Sequence, residues 1–183
     1  GKLAVCAASR APGNTHLIQG LYDAHRNGAK VLELASHIPS RQIGSKFFQE
    51  THPEAIFQEC SGYCEMVNSA EQGGVVLHHA IQSTMAGNGV SVLVIPGDVS
   101  MQEAEDDAFV ESKISAGRPV VYPDPAEAAA LTQAINEAKS VTLFVGAGVK
   151  DAREQVLKLA EKIKAPIGHA LGGKMYIQYE NPF

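Results

Sequence analysis

The sequence lacks the features that mark nucleic-acid-binding, membrane-spanning and exported proteins. Its 183 residues contain 15 Lys and Arg against 20 Asp and Glu, a formal net charge of −5. Because there is no basic excess to neutralise phosphates, a general nucleic-acid role is disfavoured. The longest apolar runs, at 90–96 and 141–149, are far shorter than the roughly 18 residues that span a bilayer. The N-terminus shows no charged-then-apolar signal pattern, so we expect a protein that neither crosses a membrane nor is exported.

Cysteine is also scarce. The three residues Cys6, Cys60 and Cys64 form an odd set, which argues against a disulfide framework and favours a reducing, cytoplasmic compartment. Cys60 and Cys64 are four residues apart and could meet on one helix face, but no second Cys or His pair has zinc-site spacing. We expect these thiols to be packing residues. A Gly-x-Ser-x-Gly elbow is absent as well, which excludes the usual serine-hydrolase pattern.

What is present is an alternation of short apolar runs with helical stripes. Residues 3–8, 31–35 and 90–95 are typical of strands buried on both faces, and 15–26 and 70–86 carry apolar residues at helical spacing. Strand, loop, helix and strand in succession predict a βαβ unit, whose handedness places the loop after the first strand at the carboxyl edge of a parallel sheet. We predict an α/β fold with parallel sheets flanked by helices.

An acidic stretch rich in Pro and Gly follows the strand at 90–95 and predicts a division of the chain. We place a linker at 113–125, between a first domain at 1–112 and a second at 126–183. The second segment is too short to bury a full core and is expected to be half a domain. Because the chain enters a strand at once and ends after a turn signal, we expect a piece of a larger polypeptide.

Two loops have the position of ligand sites, and each has a plainer explanation. The sequence Gly146-Ala147-Gly148 joins a strand to a helix, the geometry that brings backbone N–H groups to a phosphate. The alternative is a tight turn in which glycine supplies a positive φ. Asp151 replaces the third glycine of the dinucleotide pattern and would repel a pyrophosphate, so NAD is disfavoured.

The second such loop precedes the first helix. Pro12 and Asn14 mark a helix start that capping alone would explain, whereas its place at the carboxyl edge favours a ligand. His37, beside an irregular loop at 37–50, is the histidine we retain as a site candidate. Arg10 is either an anion contact or a solvated charge.

Five segments, taken in order, resemble thiamine-diphosphate enzymes of the pyruvate oxidase and acetohydroxyacid synthase group, and most of all the quinone-linked bacterial pyruvate dehydrogenases. They are LAVCAASRAPGN at 3–14, HIPS at 37–40, FQET at 48–51, VIPGDV at 94–99 and KIKAP at 162–166. The resemblance runs over essentially all 183 residues. It implies that 1–112 is the later part of a pyrimidine-binding domain and 126–183 the first half of a Rossmann-like central domain that binds FAD.

The resemblance also implies roles for individual residues. Pro12, Gly13 and Asn14 match the loop that approaches the aminopyrimidine, although Ala11 stands where the family has glycine. Phe48 and Gln49 match a pair on the loop that faces the thiazolium of the neighbouring subunit, where the ring would exclude water and the amide would bind a substrate oxygen. The positions that match FAD contacts are Gly146, Ala147, Gly148, Ala170 and Leu171.

The implied activity is oxidative decarboxylation of pyruvate to acetate and CO2, with electrons passing through FAD to a quinone. The family's Mg²⁺ ligands and the glutamate that protonates the pyrimidine match no residue here, so we expect the 183 residues alone to be inactive. Because the family's sites form between subunits, a homo-oligomer, dimer or tetramer, is implied. Any peripheral membrane contact would require a C-terminal tail beyond these residues.

Two other functions remain open. An acetohydroxyacid synthase shares the motifs but joins two keto acids, and His37 favours the oxidase because the synthases usually have glutamine there. A non-catalytic nucleotide-binding or assembly module could use the same scaffold, since a fold does not fix chemistry.

Overall fold

Four parallel strands organise the first part of the chain. The computed structural model describes residues 2–104 and 120–183, and the chain divides into two units, Gly1–Pro119 and Val120–Phe183. The strands of the first unit are β1 (Ala4–Ala8), β2 (Val31–His37), β3 (Tyr63–Met66) and β4 (Val90–Pro96). They lie in the order β1-β2-β4-β3, and every neighbouring pair is parallel. All four strands therefore end at one edge of the sheet.

Three helices connect these strands and cover both faces of the sheet. They are α1 (Pro12–Arg26), α2 (Pro53–Phe57) and α3 (Ala70–Ser83). The prediction that the first helix begins at residue 15 is wrong by one turn, because Pro12 occupies the first helical position, where its missing N–H does no harm. The Ser69 hydroxyl accepts a hydrogen bond from the Gln72 N–H and caps the start of α3.

The core lies on both sides of β4, which accounts for its unbroken apolar sequence. Val90, Val92 and Val94 pack on one face in a cluster with Phe57, and Leu93 packs on the other in a second cluster. Burying each such side chain contributes about 1.5–3 kcal/mol. The predicted α/β fold, with a parallel sheet flanked by helices, is confirmed.

A buried carboxyl group interrupts the first cluster. Glu33 on β2 is fully buried, and the Cys6 thiol of β1 donates a hydrogen bond to its Oε2 at 2.8 Å. Its Oε1 has no partner among the described residues. Burial raises the pKa of Glu33, and burial together with the hydrogen bond to Glu33 raises the pKa of Cys6 to about 12. No local sequence pattern marks this pair, because its two residues are 27 positions apart.

The other two cysteines do not share a helix face. Cys60 is buried in a 3₁₀ turn after α2, whereas Cys64 lies on β3. All three thiols are free.

The second unit has two parallel strands and three helices. The strands are β5 (Leu143–Val145) and β6 (Ile167–His169), and the helices are α4 (Pro125–Glu137), α5 (Arg153–Ile163) and α6 (Lys174–Ile177). No helix in the described part of the chain is long and apolar enough to cross a membrane. The predicted domain limits and the linker at 113–125 stay predictions, and positions 113–119 lie outside the described residues.

Candidate active site

Loops from three strands are tied together at the carboxyl edge of the four-stranded sheet. Arg10, after β1, donates a hydrogen bond from Nε to Oε1 of Gln49, in the loop after β2, at 3.0 Å. Asp98, after β4, accepts hydrogen bonds from the backbone N–H of Ser40 at 2.7 Å and from its hydroxyl at 2.5 Å. The Ser40 hydroxyl and N–H lower the pKa of Asp98. Parallel pairing is what brings these distant segments to one edge.

The chain makes a strained turn as it enters α1. Ala11 has φ 51° and ψ −97° and is buried, in a region that favours glycine because a Cβ crowds the backbone there. This conformation gives a physical reason for the glycine that the resembled family has at this position. A Cβ added to Gly13 would lie 2.5 Å from the Ser9 Oγ and 3.3 Å from the Ala8 Cβ. The first turn of α1 therefore lies directly against the end of β1.

Asn14 does not cap α1, so the capping explanation of this loop is wrong. The residue lies within the first turn, and its Nδ2 donates to the Ser36 carbonyl oxygen at 2.9 Å, which ties α1 to β2. The residue is only 1% exposed, and its Oδ1 has no partner within the described chain. Leaving a buried acceptor without a donor costs about 1–3 kcal/mol. A ligand that carries N–H groups, as an aminopyrimidine does, would satisfy it.

The loop after β2, predicted to be irregular, has a defined shape. The Glu50 carboxylate accepts hydrogen bonds from the backbone N–H groups of Gly44 and of Phe47, the latter at 3.1 Å. These bonds, the one from Gly44 first, lower the pKa of Glu50. The turn leaves Gln49 with a φ of 63°. Glu50 thus fixes the backbone of the turn that contains Gln49. The sequence did not predict this role for Glu50.

Of the two predicted catalytic residues, one lines a pocket and the other is largely open. Gln49 borders a pocket of about 490 Å3, lined by Gly44, Lys46, Phe47, Gln49, Glu50 and His52. The neighbouring Phe48 is 72% exposed. The structure therefore places the Gln49 amide at the pocket and leaves the Phe48 ring open to solvent.

His37 ends β2 at the same edge. Its ring is buried, and Nδ1 has no partner within the described part of the chain. Burial lowers the pKa of His37, although the carboxylates of Glu54 and Glu50 oppose the shift. The lowered pKa favours the neutral imidazole, which suits a hydrogen-bonding group better than an anion site.

In the second unit the two predicted flavin segments meet at one edge. Val145 and His169 are register partners at the ends of β5 and β6, and the Ala170 N–H donates to the Val145 carbonyl oxygen at 2.9 Å. The residues that follow the two strands therefore lie together. They are Gly146, Ala147 and Gly148 after β5, and Ala170 and Leu171 after β6.

The glycines of this edge are not explained by backbone conformation. Gly146 has a φ of −106°, and Gly148 is also outside the positive-φ residues, so the tight-turn alternative is wrong. A Cβ added to either would meet no atom within 4 Å. Neither strain nor packing among the described residues requires glycine here. A flavin nucleotide that approached the backbone here would meet no side chain at these two positions, so the residues present fit such a group.

Metal binding is a different matter. Within residues 2–104 and 120–183 no group of three or more His, Cys, Asp or Glu side chains could hold a metal ion. The expectation that the Mg²⁺ ligands lie elsewhere in a longer protein stays a prediction.

Two segments of the chain, one at each end, match models of known protein families. Residues 1–56 match the N-terminal TPP binding domain of thiamine pyrophosphate enzymes. Residues 128–183 match the central domain of the same enzymes. These matches confirm the predicted resemblance to thiamine-diphosphate enzymes at the level of the family.

Individual relatives extend over most of the chain. An uncharacterized 42.6 kDa protein of Pseudomonas amyloderamosa is 49% identical over 183 residues, which are 100% of this chain and 46% of that protein. The pyruvate oxidase of Lactiplantibacillus plantarum is 30% identical over 168 residues, 91% of this chain and 28% of its own length. The chloroplastic acetolactate synthase 3 of Brassica napus is 27% identical over 177 residues, 94% and 27% of the two chains. The chain spans less than half the length of each relative.

Proposed function

We propose that this chain, which belongs to the thiamine pyrophosphate enzyme family through its N-terminal and central domains, is part of an enzyme that oxidatively decarboxylates pyruvate. Pyruvate, water and a quinone would yield acetate, CO2 and the quinol. The likeness to a pyruvate oxidase supports this activity. Thiamine diphosphate, when bound, would supply the electron sink for decarboxylation, and FAD would carry the two electrons to the quinone.

One observation carries the proposal: Arg10 holds the Gln49 amide at the carboxyl edge of the sheet, and the ring of Phe48, the preceding residue in sequence, is exposed. An amide N–H can donate to the carbonyl or carboxylate oxygen of a 2-keto acid. The apolar ring can keep water from the reacting carbon, which prevents early protonation. Together they bind, orient and desolvate a small keto acid.

The cofactor-binding residues follow from the same geometry. Pro12, Gly13 and Asn14 form the turn that would receive the aminopyrimidine, with Asn14 Oδ1 as the acceptor for its amino group. In the second unit, Gly146 and Gly148 leave room for a flavin nucleotide to approach the backbone.

The remaining contacts to FAD would come from the residues after β6. Leu171 is 88% exposed, and beside Ala170 it would offer an apolar surface to a flat ring. The Mg²⁺ of the cofactor would be held by residues outside this chain.

The proposed assembly is a homo-oligomer, a dimer or tetramer. An exposed Phe48 beside a half-buried Gln49 suits a site completed by a neighbouring subunit. We propose a cytoplasmic enzyme, in contact with the inner face of the membrane only through a C-terminal tail outside this chain.

The test uses the longer protein that contains this chain, supplied with pyruvate, thiamine diphosphate, Mg²⁺, FAD and a quinone-like dye. Acetate formed in step with dye reduction supports the proposal. Gln49→Ala should lower kcat/KM for pyruvate at least tenfold, because one donor to the substrate is lost. Gln19→Ala, an exposed glutamine on α1, is the matched control and should leave kcat/KM unchanged.

An acetolactate synthase is the second candidate, favoured by the likeness to the Brassica napus enzyme. Acetolactate formed without dye reduction would move the protein to that activity. Cofactor binding without either product would support a non-catalytic nucleotide-binding module and remove the chemistry assigned to Phe48 and Gln49.

A further inference from the structure

Among the residues that the structure describes, Arg10 is the one side chain that forms a hydrogen bond with the side chain of a predicted catalytic residue. Its Nε donates to Gln49 Oε1 across 39 positions of sequence, and the contact is half-buried. Within the described residues, neither its terminal guanidinium nitrogens nor the Gln49 Nε2 has another hydrogen-bond partner. No carboxylate in the described part of the chain forms an ion pair with Arg10.

The chemistry of the pair fixes the orientation of the Gln49 amide. A guanidinium has only N–H donors and no acceptor, so it accepts nothing from the amide nitrogen. The amide must therefore turn its oxygen towards Arg10, which leaves both N–H groups of Nε2 to donate elsewhere. A side-chain amide without such a neighbour could present either end.

The backbone of Gln49 does not depend on this contact. Glu50 holds the turn through the N–H groups of Gly44 and Phe47, and Gln49 keeps its φ of 63° within that turn. Removing the Arg10 side chain therefore changes the amide orientation and the local charge but leaves the loop in place.

We propose that Arg10 is a positioning and specificity-determining residue: it holds the Gln49 amide with its N–H groups towards a 2-keto acid, and its unpaired charge favours anionic over neutral substrates. This inference rests on the proposed function of the same site. The two contributions are separable, because the amide orientation acts on any carbonyl compound, whereas the charge acts only on an anion.

The test compares pyruvate with pyruvamide, a neutral compound of nearly the same shape, in the longer protein. KM and kcat are measured for pyruvate, and an inhibition constant is measured for pyruvamide. Arg10→Met should raise the KM for pyruvate about tenfold, because a charge-assisted interaction is lost. The inhibition constant of pyruvamide should rise at most about threefold, and kcat should change less than the KM does.

Two further variants complete the design. Arg10→Lys keeps the charge and a donor and should recover most of the KM, and it decides the question if Arg10→Met does not fold. Arg26→Met makes the same chemical change at an exposed residue in the last turn of α1 and should alter none of the three constants.

The outcomes separate this inference from the proposed function. An active wild-type enzyme with unchanged KM in Arg10→Met overturns the role of Arg10 alone. An equal rise in both constants overturns the charge selectivity, and failure of Arg10→Lys to recover KM overturns it as well. A wild-type protein that does not turn over pyruvate overturns the proposed function and this inference with it.

Discussion

The two units share an α/β architecture, but their apolar side chains are buried to very different extents. In the first unit β4 packs apolar side chains on both faces, with Phe57 fully buried against one of them. In the second unit α4 buries no residue at all, and Phe144 on β5 is 75% exposed. A short α/β segment removes too little apolar surface from water to offset the entropy of ordering its chain. The first unit has a buried core on both faces of β4, and the second has an edge with predicted ligand contacts but little interior.

The largest effect is expected when one phenylalanine from each unit is replaced, which tests this contrast directly. Phe57→Ala should lower the free energy of unfolding by about 3–5 kcal/mol, since a fully buried ring is lost and a cavity remains. Phe144→Ala should change it by less than about 0.5 kcal/mol, because an exposed ring has little to lose. Urea unfolding followed by circular dichroism measures both, and similar losses in the two variants would contradict the contrast.

The second test asks whether every position of the second unit tolerates substitution without a loss of stability. A Cβ on Gly173 would lie 2.7 Å from the Val145 carbonyl oxygen, a backbone atom that cannot rotate away. We expect Gly173→Ala to lower the free energy of unfolding by about 1–3 kcal/mol through overpacking.

Gly148→Ala is the matched control on the same edge. Its Cβ meets open space, so stability should stay within about 0.5 kcal/mol. In the longer protein the same substitution should weaken FAD binding, measured by flavin fluorescence. Unchanged flavin affinity would remove the ligand explanation of this glycine.

The third test concerns the carboxyl group inside the core of the first unit. Burial raises the pKa of Glu33 above its ordinary value of 4.5, so the folded state holds a proton that the unfolded chain releases. Stability is therefore present at low pH and is lost as the pH rises from about 4.5 to the folded-state pKa, at no more than about 1.4 kcal/mol per pH unit. Glu33→Gln should remove this loss, as judged from urea unfolding at several pH values. If the free energy of unfolding depended on pH in the same way in the wild type and in Glu33→Gln, the prediction would be wrong.

The smallest expected effect compares two residues at positive φ, one in each unit. Ala11 has a ψ of −97°, outside the left-handed helical region, whereas Lys164 lies within it at φ 54° and ψ 40°. Ala11→Gly should raise the free energy of unfolding by about 1 kcal/mol and Lys164→Gly by about 0.5 kcal/mol. Each figure is the relief of backbone strain in the folded state minus the cost of the greater conformational entropy that glycine gives the unfolded chain. Thermal unfolding resolves the two, and destabilisation by Ala11→Gly would show that the turn is not strained.

Most strands could be predicted because their signal is local. The runs at 3–8 and 90–95 are apolar on both faces, and the structure places β1 and β4 there to within one residue. Pro12 was recognised as part of a helix start, but the first turn of α1 could not be assigned from the sequence because Pro12 and Gly13 are common in both loops and first helical turns. Only the backbone path distinguishes the two.

The site could be predicted in part, for a different reason. Pro12, Gly13 and Asn14 were found through a family pattern and through the rule for carboxyl edges. The pairing of Arg10 with Gln49 joins residues 39 positions apart, and no local pattern encodes such a contact. The shape of the loop depends on side-chain to backbone hydrogen bonds from Glu50, which composition alone does not specify.

The strand order of the first unit has a consequence for how the chain reaches its fold. β4 is the last of the four strands in sequence, yet it lies between β2 and β3. During synthesis, β2 and β3 therefore present unpaired edges until residues 90–96 leave the ribosome, an interval on the order of a few seconds. Exposed strand edges are templates for pairing with other chains. The edges of β2 and β3 therefore stay open to such pairing until β4 has been made.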